Sequence, residues 1–170
     1  MKKSPFRFLL DRILKKYLSS KNLKGKIILD VGSSKNPYRK FFKGSVYLSM
    51  DIERGKNINI ISDVRFLPFK DCVFDMILCF NVLEHVYEYK NAVLEMERVL
   101  KNNGEILIAL PFLFPLHDIP YDYYRFTKYQ IKKLFKSLKM KPIVKAISLV
   151  GIKFLEERFP IYYFVIVRKH

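Results

Sequence analysis

The feature that most restricts the fold of this chain is an apolar run that ends in an acid and a tight turn of small residues. Residues 27–29 are apolar, Asp30 follows in the same run, and residues 32–34 form a Gly-Ser-Ser turn. In α/β proteins, a turn of this kind at the carboxyl end of a parallel strand forms a cradle for a nucleoside. Asp51 ends the next apolar run, about twenty residues further on, where a ribose-binding carboxylate is expected. Together these features predict a bound nucleoside cofactor.

Strand-like and helix-like segments alternate through most of the chain. Apolar runs predict strands at residues 26–29, 46–50, 58–61, 74–79 and 105–110. Helical spacing of apolar residues predicts a helix at residues 89–100, ended by a turn at residues 102–104. Thr127 and Gln130 form a capping box that begins another helix. The alternation predicts an α/β fold, a Rossmann-like three-layer sandwich with a mostly parallel sheet.

Three further segments complete the predicted fold. Residues 142–150 and 160–167 resemble strands joined by about ten residues, too few for a helical crossover, which predicts an antiparallel C-terminal hairpin. Residues 6–18 predict a leading amphipathic helix, which either packs over the sheet or rests on a membrane surface with its lysines toward anionic lipid. Asn36 and Pro37 predict a short helix after the first turn, as its N-cap and first residue.

Length and composition fit one domain, since a chain of 170 residues that is 50% hydrophobic can bury a substantial core. Within residues 1–170 we expect a leading helix at 1–24, a cofactor-binding half at 25–110, and a substrate loop with the C-terminal hairpin at 111–170. The net charge of +16 would suit RNA, phospholipid head groups or anionic glycans. A simple solvated surface is slightly favoured, because the lysines are spread along the chain.

The sequence predicts a cytoplasmic protein. Its apolar runs fall short of the roughly twenty residues that span a bilayer. Charged residues, among them Arg7 and Asp11, interrupt what would be the apolar part of a signal peptide. Cys72 and Cys79 lie in or beside strand-like sequence and lack metal-ligand or redox spacing. We interpret both as buried thiols in a reducing compartment.

The residues of the first turn favour a cationic cofactor over a dinucleotide. A pyrophosphate needs the bare amides of a Gly-x-Gly-x-x-Gly fingerprint, and this turn supplies only Gly32. The Asp30 carboxylate would also repel a pyrophosphate. S-adenosylmethionine carries an ammonium and a sulfonium and no phosphate, so one acid before the turn and another for the ribose suit it.

From residue 26 to about residue 110, the chain resembles the class I S-adenosylmethionine-dependent methyltransferases of the type 11-like group. The first motif of that family matches the Asp-Val-Gly of residues 30–32, and its later motifs match residues 61–69, 74–86 and 97–105. Glycine is usual in the family where this chain has Ser34. The resemblance implies S-adenosylmethionine as cofactor and S-adenosylhomocysteine as product. The cofactor-binding residues that it implies are Asp30, Gly32, Ser33, Ser34, Asp51, Ile52, Asp63, Val64 and Asn81.

Residues 111–126 are the expected acceptor-binding loop, because open parallel sheets bind ligands beyond the carboxyl ends of their strands. Pro-Leu-His at 115–117 and Asp-Tyr-Tyr-Arg-Phe-Thr at 122–127 resemble a subgroup of these methyltransferases linked to cell-surface or polysaccharide biosynthesis. We therefore expect O-methylation of a sugar, a glycan precursor or another small molecule. The alternatives are methylation of RNA and a non-catalytic adaptor that binds the cofactor.

Methylation of an alcohol needs a group that removes the proton of the acceptor. His117 is the first candidate for this base and His85 is the second. Asp118 or Asp122 is expected to orient the histidine. No metal site is expected, because a third or fourth ligand is absent at any recognisable spacing. Candidates for acceptor binding are Tyr121, Tyr124 and Arg125. Packing and anchoring of the loop is an equal alternative for the tyrosines.

Overall fold

A seven-stranded mixed sheet forms the centre of the fold, in a computed structural model that describes residues 5–35, 37–147 and 159–170. The strands are β1 (Ile27–Val31), β2 (Val46–Asp51), β3 (Ile60–Ile61), β4 (Phe74–Phe80), β5 (Leu100–Pro111), β6 (Lys141–Ile147) and β7 (Tyr162–Arg168). The described residues also form three α-helices: α1 (Pro5–Leu18), α2 (Tyr89–Val99) and α3 (Lys128–Ser137).

The strand order is β3-β2-β1-β4-β5-β7-β6. The first five strands run parallel to their neighbours, whereas β7 pairs antiparallel with both β5 and β6. The predicted Rossmann-like sheet and its antiparallel hairpin are confirmed, although residues 148–150 of the predicted strand lie outside the described residues. The order reverses between β1 and β4, so their carboxyl ends border the crevice in which such sheets bind ligands.

The sheet is covered on both faces, which makes three layers. Side chains alternate between faces along a strand, so Ile28 packs with Leu10 and Leu14 of α1, whereas Leu29 packs with Met96 of α2 and Phe135 of α3. Each of these side chains is at most 1% exposed. The leading helix therefore packs over the sheet, as one of its two predicted roles requires. Among the described residues, no helix is long and apolar enough to cross a membrane.

Three local expectations were wrong. A single 3-10 turn, Arg39–Phe41, replaces the short helix predicted after Pro37, and Asn36 lies outside the described residues. The turn predicted at residues 102–104 is instead an irregularity inside β5, because pairing with β4 jumps across it and Asn103 takes a φ of 61°. Cys72 is exposed, since it precedes β4 in a turn, while Cys79 is buried within that strand.

Candidate cofactor and acceptor site

The turn after β1 approaches the turn after β4 too closely for any side chain at Gly32. The φ of Gly32 is 64°, in the left-handed region that favours glycine, and an added Cβ would overlap the side chain of Val82. Ser34 also has a positive φ, 49°, and donates its backbone N–H to Asp51 Oδ2 at 2.8 Å. This hydrogen bond ties the β1 turn to the end of β2, so the cradle has a fixed shape.

Asp30 lies beneath this turn and does not line the cavity. Its Oδ2 accepts hydrogen bonds from Ser33 Oγ at 2.6 Å and from Tyr47 Oη at 2.5 Å, and the residue is 2% exposed. Burial raises the pKa of Asp30 to about 6, although the two hydrogen bonds act in the opposite direction. The residue shares a face of β1 with Ile28, toward α1. Asp30 and Ser33 thus hold the turn from below.

Two carboxylates stand at the rim of the cradle. Asp51 Oδ1 accepts the backbone N–H of Glu53 at 3.1 Å, which leaves this carboxylate at the mouth of the cavity. Asp63 is held by Arg65, whose Nε donates to Asp63 Oδ2 at 3.0 Å and whose other guanidinium N–H groups reach Asp63 and Glu88. These hydrogen bonds lower the pKa of Asp63. Arg65 thus offsets the charge of Asp63, whereas Asp51 forms no ion pair with another described residue.

A cavity of about 520 Å³ opens at the carboxyl ends of β1, β2 and β4, within the usual range for small-ligand sites. The predicted site residues that line it are Gly32, Ser34, Asp51, Ile52, Asp63, Val64, Asn81, His85, Asp118 and Tyr121. Those outside its walls are Asp30, Ser33, His117, Tyr124 and Arg125. Most of the predicted cofactor residues are thus brought to one cavity, together with part of the predicted acceptor loop.

Asn81 begins the turn after β4 with a φ of 58°. Its backbone N–H donates to the Ala109 carbonyl at 3.0 Å, and its Nδ2 donates to Tyr162 Oη at 3.0 Å. Positive φ is uncommon outside glycine. Ser34, Asn81 and Asp118, three of the six such residues in the described chain, line the same cavity. Backbone strain is therefore concentrated at this site.

Two histidines and a buried carboxyl meet beside the cavity. His85 Nε2 lies 4.0 Å and His117 Nε2 lies 3.9 Å from Glu84 Oε1, and the two imidazole rings are 4.8 Å apart. Glu84 is 0% exposed, and burial raises its pKa to about 8. Within the described part of the chain, no other residue forms a hydrogen bond with either Glu84 carboxyl oxygen or with His117 Nε2. Asp118 Oδ2 lies 3.8 Å from His85 Nε2.

The acceptor loop is anchored by its own charged residues. Arg125 pairs with Asp122 through both terminal nitrogens, at 2.5 and 2.7 Å, and this contact lowers the pKa of Asp122. Arg125 also donates to the carbonyl of Pro115. Tyr124 Oη donates to the Tyr87 carbonyl at 2.8 Å. Arg125 and Tyr124 are therefore engaged within the protein, whereas Tyr121 is 62% exposed at the cavity wall.

Two features of the site were not predicted. Glu84 precedes the candidate base His85 in the sequence, but its burial between two imidazoles depends on the loop after β5 folding back over β4. The loop is held there by the Glu84 carbonyl, which accepts the backbone N–H groups of Tyr123 and Tyr124. The second feature is the ion pair between Arg65 and Asp63. In the sequence, this pair is indicated only by the two-residue spacing of an acid and a base within a turn.

The central part of the chain matches a known protein family in sequence. Residues 29–108, just under half of the chain, match the family model described as a methyltransferase domain. The chain is 34% identical over 108 residues to the uncharacterized protein MJ0638 of Methanocaldococcus jannaschii. This alignment covers 59% of this chain and 46% of that protein. The chain spans about half the length of the curated relatives it matches.

Solved structures share the fold. An S-adenosylmethionine-dependent methyltransferase from Archaeoglobus fulgidus aligns with a TM-score of 0.73 at 14% identity, over 95% of this chain and 94% of that one. The 1,6-didemethyltoxoflavin-N1-methyltransferase of Burkholderia thailandensis aligns with a TM-score of 0.67 at 17% identity, over 94% and 76%. That structure contains S-adenosylhomocysteine.

The fold is that of the class I S-adenosylmethionine-dependent methyltransferases. Residues 29–108 match the methyltransferase-domain family model, and the resemblance to class I methyltransferases inferred from the sequence is confirmed. S-adenosylmethionine, the predicted cofactor, is the cofactor of this family.

Proposed function

We propose that this chain is an S-adenosylmethionine-dependent methyltransferase that methylates a hydroxyl of a sugar, a glycan precursor or another small molecule. The observation that carries the proposal is the single cavity at the carboxyl ends of β1, β2 and β4. Its walls contain residues expected to bind the cofactor, together with His85 and with Asp118 and Tyr121 of the acceptor loop. One cavity therefore brings a cofactor cradle and proton-accepting groups within reach of each other.

The cavity suits the cofactor in shape and charge. Gly32 lets the β1 turn lie directly against Val82 and lines the cavity. Asp51 forms no ion pair with another described residue, so its carboxylate favours a cation and can accept hydrogen bonds from ribose hydroxyls. Ile52 and Val64, which line the cavity with Asp63, would offer apolar surface to the adenine. When bound, S-adenosylmethionine supplies an activated methyl group for transfer to the acceptor oxygen as the acceptor's proton leaves.

The histidines beside the cavity would accept that proton. His117 is the proposed base, and its Nε2 is free of hydrogen bonds within the described part of the chain. His85 is the second candidate because it lines the cavity wall, and Asp118 lies close enough to orient it. Tyr121, exposed at the wall, would pack against the acceptor.

The test is transfer of a labelled methyl group from S-adenosylmethionine into fractionated extract, with small-molecule, glycan, lipid and RNA fractions scored separately. We expect label in a small-molecule or glycan fraction, with S-adenosylhomocysteine formed in equal amount. His117→Ala should reduce the rate by about 100-fold or more, the usual contribution of a general base. A protein that binds the cofactor but forms no S-adenosylhomocysteine with any fraction would be an adaptor, contrary to the proposal.

Two carboxylate variants separate cofactor binding from chemistry. Asp51→Asn should weaken S-adenosylmethionine binding by about tenfold or more in calorimetric titration, because hydrogen bonds to a charged group contribute roughly 1.5–3 kcal/mol. Asp71→Asn is the matched control, since it removes the same charge from a side chain that is 72% exposed and does not line the cavity. His117→Ala should leave the affinity for S-adenosylmethionine unchanged.

A second candidate acceptor is RNA, and the composition of α3 is the observation that favours it. This helix and the turn after it carry exposed lysines and no acid. The exposed lysines are Lys132, Lys133, Lys136 and Lys139. Tyr129, on the same helix, is 71% exposed and offers a ring on which a base could stack. Phosphate contacts by such a helix would make binding strongly dependent on salt.

Fluorescence anisotropy with an RNA oligonucleotide tests this alternative. Lys132→Glu combined with Lys136→Glu should abolish binding if α3 contacts RNA. Lys15→Glu combined with Lys16→Glu makes the same change of charge on exposed lysines of α1 and serves as the control. Equal losses in both double variants would indicate non-specific attraction to the net charge and would argue against an RNA acceptor.

A further inference from the structure

The cluster of Glu84, His85 and His117 has the composition of a metal site. These three residues offer two imidazole nitrogens and one carboxylate oxygen, all within 4.8 Å of one another. Two histidines and one carboxylate are a frequent ligand set for divalent transition metals in enzymes. The spacing along the chain does not reveal the set, because His117 comes from the loop after β5 and the other two residues from the 3-10 turn Leu83–His85.

The hydrogen bonds of the two histidines engage Nδ1 and leave Nε2 of each ring available to bind a metal ion. His85 Nδ1 lies 3.0 Å from the Tyr121 carbonyl oxygen, and His117 Nδ1 lies 3.3 Å from the Pro115 carbonyl oxygen and 3.2 Å from Asp122 Oδ2. Carbonyl and carboxylate oxygens only accept, so Nδ1 carries the proton on both rings. In a neutral ring, each Nε2 then carries a lone pair, 4.0 Å from Glu84 Oε1 for His85 and 3.9 Å for His117. Metal-binding histidines are held by the same pattern of outer hydrogen bonds.

Three buried atoms at this point have no hydrogen-bond partner in another residue of the described chain. Both Glu84 carboxyl oxygens and His117 Nε2 lack hydrogen bonds to other described residues, although they are shielded from solvent. Unpaired buried polar atoms are rare and costly. A cation between the carboxylate and the two lone pairs would satisfy all of these atoms together.

The separations are close to those of a coordination sphere. Bonds of about 2.1 Å in a tetrahedral arrangement place ligand atoms roughly 3.4 Å apart. Glu84 Oε1 lies 3.9 and 4.0 Å from the two Nε2 atoms, about half an ångström beyond this spacing, and all three ligand atoms lie within 4.8 Å of one another. Small side-chain movements would therefore bring the three atoms around one ion. Asp118 Oδ2, 3.8 Å from His85 Nε2 on a side chain that is 80% exposed, can supply a fourth ligand.

We propose that Glu84, His85 and His117 bind one divalent first-row transition-metal ion at the wall of the cofactor cavity. Imidazole ligands favour ions such as Zn²⁺ or Fe²⁺ over Mg²⁺ and Ca²⁺, which prefer oxygen. Binding of the ion does not depend on methyl transfer. One consequence does rest on the proposed function: a bound ion would lower the pKa of an acceptor hydroxyl, and His117 would then be a ligand instead of the base.

The test is calorimetric titration of ZnCl₂ into the full chain, stripped with a chelator and carrying no histidine tag. We expect one Zn²⁺ per chain with micromolar or tighter affinity. His117→Ala and His85→Ala should weaken binding by about 100-fold, and Glu84→Gln by at least about tenfold. The chain has three histidines, so His170→Ala is a matched control that should leave the affinity unchanged. A large excess of Mg²⁺ should not compete.

A Co²⁺ spectrum provides a readout that does not depend on the variants. Ligation by imidazole and carboxylate in a four-coordinate site should give intense visible d–d bands, which are lost in Glu84→Gln. Thermal unfolding of each metal-free variant shows whether it is folded, and Glu84→Gln preserves the side-chain shape where an alanine variant fails. Absence of stoichiometric Zn²⁺ binding by the wild type would overturn the proposal. So would equal affinity in the wild type and Glu84→Gln.

Discussion

At the scale of single residues, the closest constraint in the site is the contact between Gly32 and Val82. An alanine at position 32 would adopt an unfavourable positive φ, at about 1–2 kcal/mol, and would also overlap Val82, at roughly 1–3 kcal/mol more. Gly25→Ala is the matched control, because its φ is 72° and nothing lies within 4 Å of the added Cβ. We expect Gly32→Ala to lower the free energy of unfolding clearly more than Gly25→Ala does, as measured by urea denaturation.

A double-mutant cycle isolates the overlap. Val82→Ala in the Gly32→Ala background should recover part of the lost stability, with a coupling of about 1 kcal/mol or more between the two positions. Equal effects of Gly32→Ala and Gly25→Ala, or no coupling with Val82, would mean that the two turns can separate. The cradle would then be less rigid than its hydrogen bonds indicate.

The buried carboxyl of Asp30 makes stability depend on pH. Its pKa is raised by burial from 3.8 to about 6, so between these values the folded chain binds more protons than the unfolded chain. The stabilising contribution is complete below pH 3.8 and is lost as the pH rises through 6. Its size is about 3 kcal/mol at 1.36 kcal/mol per pKa unit. The side chain in Asp30→Asn does not titrate, so the variant lacks this contribution to the pH dependence of stability.

Urea denaturation of the wild type and Asp30→Asn at several pH values between 4 and 7 checks this expectation. The stability of the variant relative to the wild type should rise across this range by an amount on the order of 3 kcal/mol. A constant difference would show that the folded chain does not hold the Asp30 proton more tightly than the unfolded chain. The comparison cancels other groups that titrate in both proteins.

At the scale of elements, α1 is a structural layer of the molecule. Leu14 is 0% exposed against the sheet, so Leu14→Ala should lower the free energy of unfolding by about 2–5 kcal/mol. Phe8, on the same helix, is 60% exposed, and Phe8→Ala should change it by less than about 0.5 kcal/mol. Urea denaturation measures both. Loss of binding to anionic vesicles in Phe8→Ala, without loss of stability, would instead support the membrane role.

Apolar patterns along the chain predict the elements well. The five parallel strands, the C-terminal hairpin and all three helices were expected from runs and periodicities, which report local burial directly. Ends of elements were less accurate, because β5 continues through an Asn-Asn-Gly sequence that has every local property of a turn. Pairing with β4 resumes at Glu105 after this irregularity, so tertiary contacts override the local preference.

In the site, too, positions set by local sequence could be predicted, whereas positions set by tertiary packing could not. Asp51 and Asp63 end or follow strands on one edge of the sheet, so their place at the cavity follows from the sequence. The direction of Asp30 also follows in principle, since period-two alternation puts it on the face of Ile28. The meeting of His85 and His117 does not follow, because it depends on how the loop after β5 packs over the turn after β4.

At the scale of the whole molecule, the net charge of +16 leaves long-range repulsion that local ion pairs do not cancel. Some attractive pairs are short and involve a largely buried carboxylate, such as Glu105 with Lys21 at 2.6 Å and with Arg168 at 2.9 Å. Salt screens distant exposed charges more than close pairs, over a Debye length of about 10 Å at 0.1 M. Moderate salt should therefore stabilise this protein.

Thermal unfolding at increasing NaCl concentration tests the balance. We expect Tm to rise between low and physiological salt, by about 2–4 °C for each kcal/mol of repulsion that is screened. Lys132→Glu combined with Lys136→Glu removes four units of net positive charge at exposed positions of α3 and should reduce this dependence on salt. A fall in Tm with added salt would mean that ion pairs outweigh repulsion. The excess of lysine would then be balanced locally, and a general attraction of the surface to RNA or anionic lipid would lose its electrostatic basis.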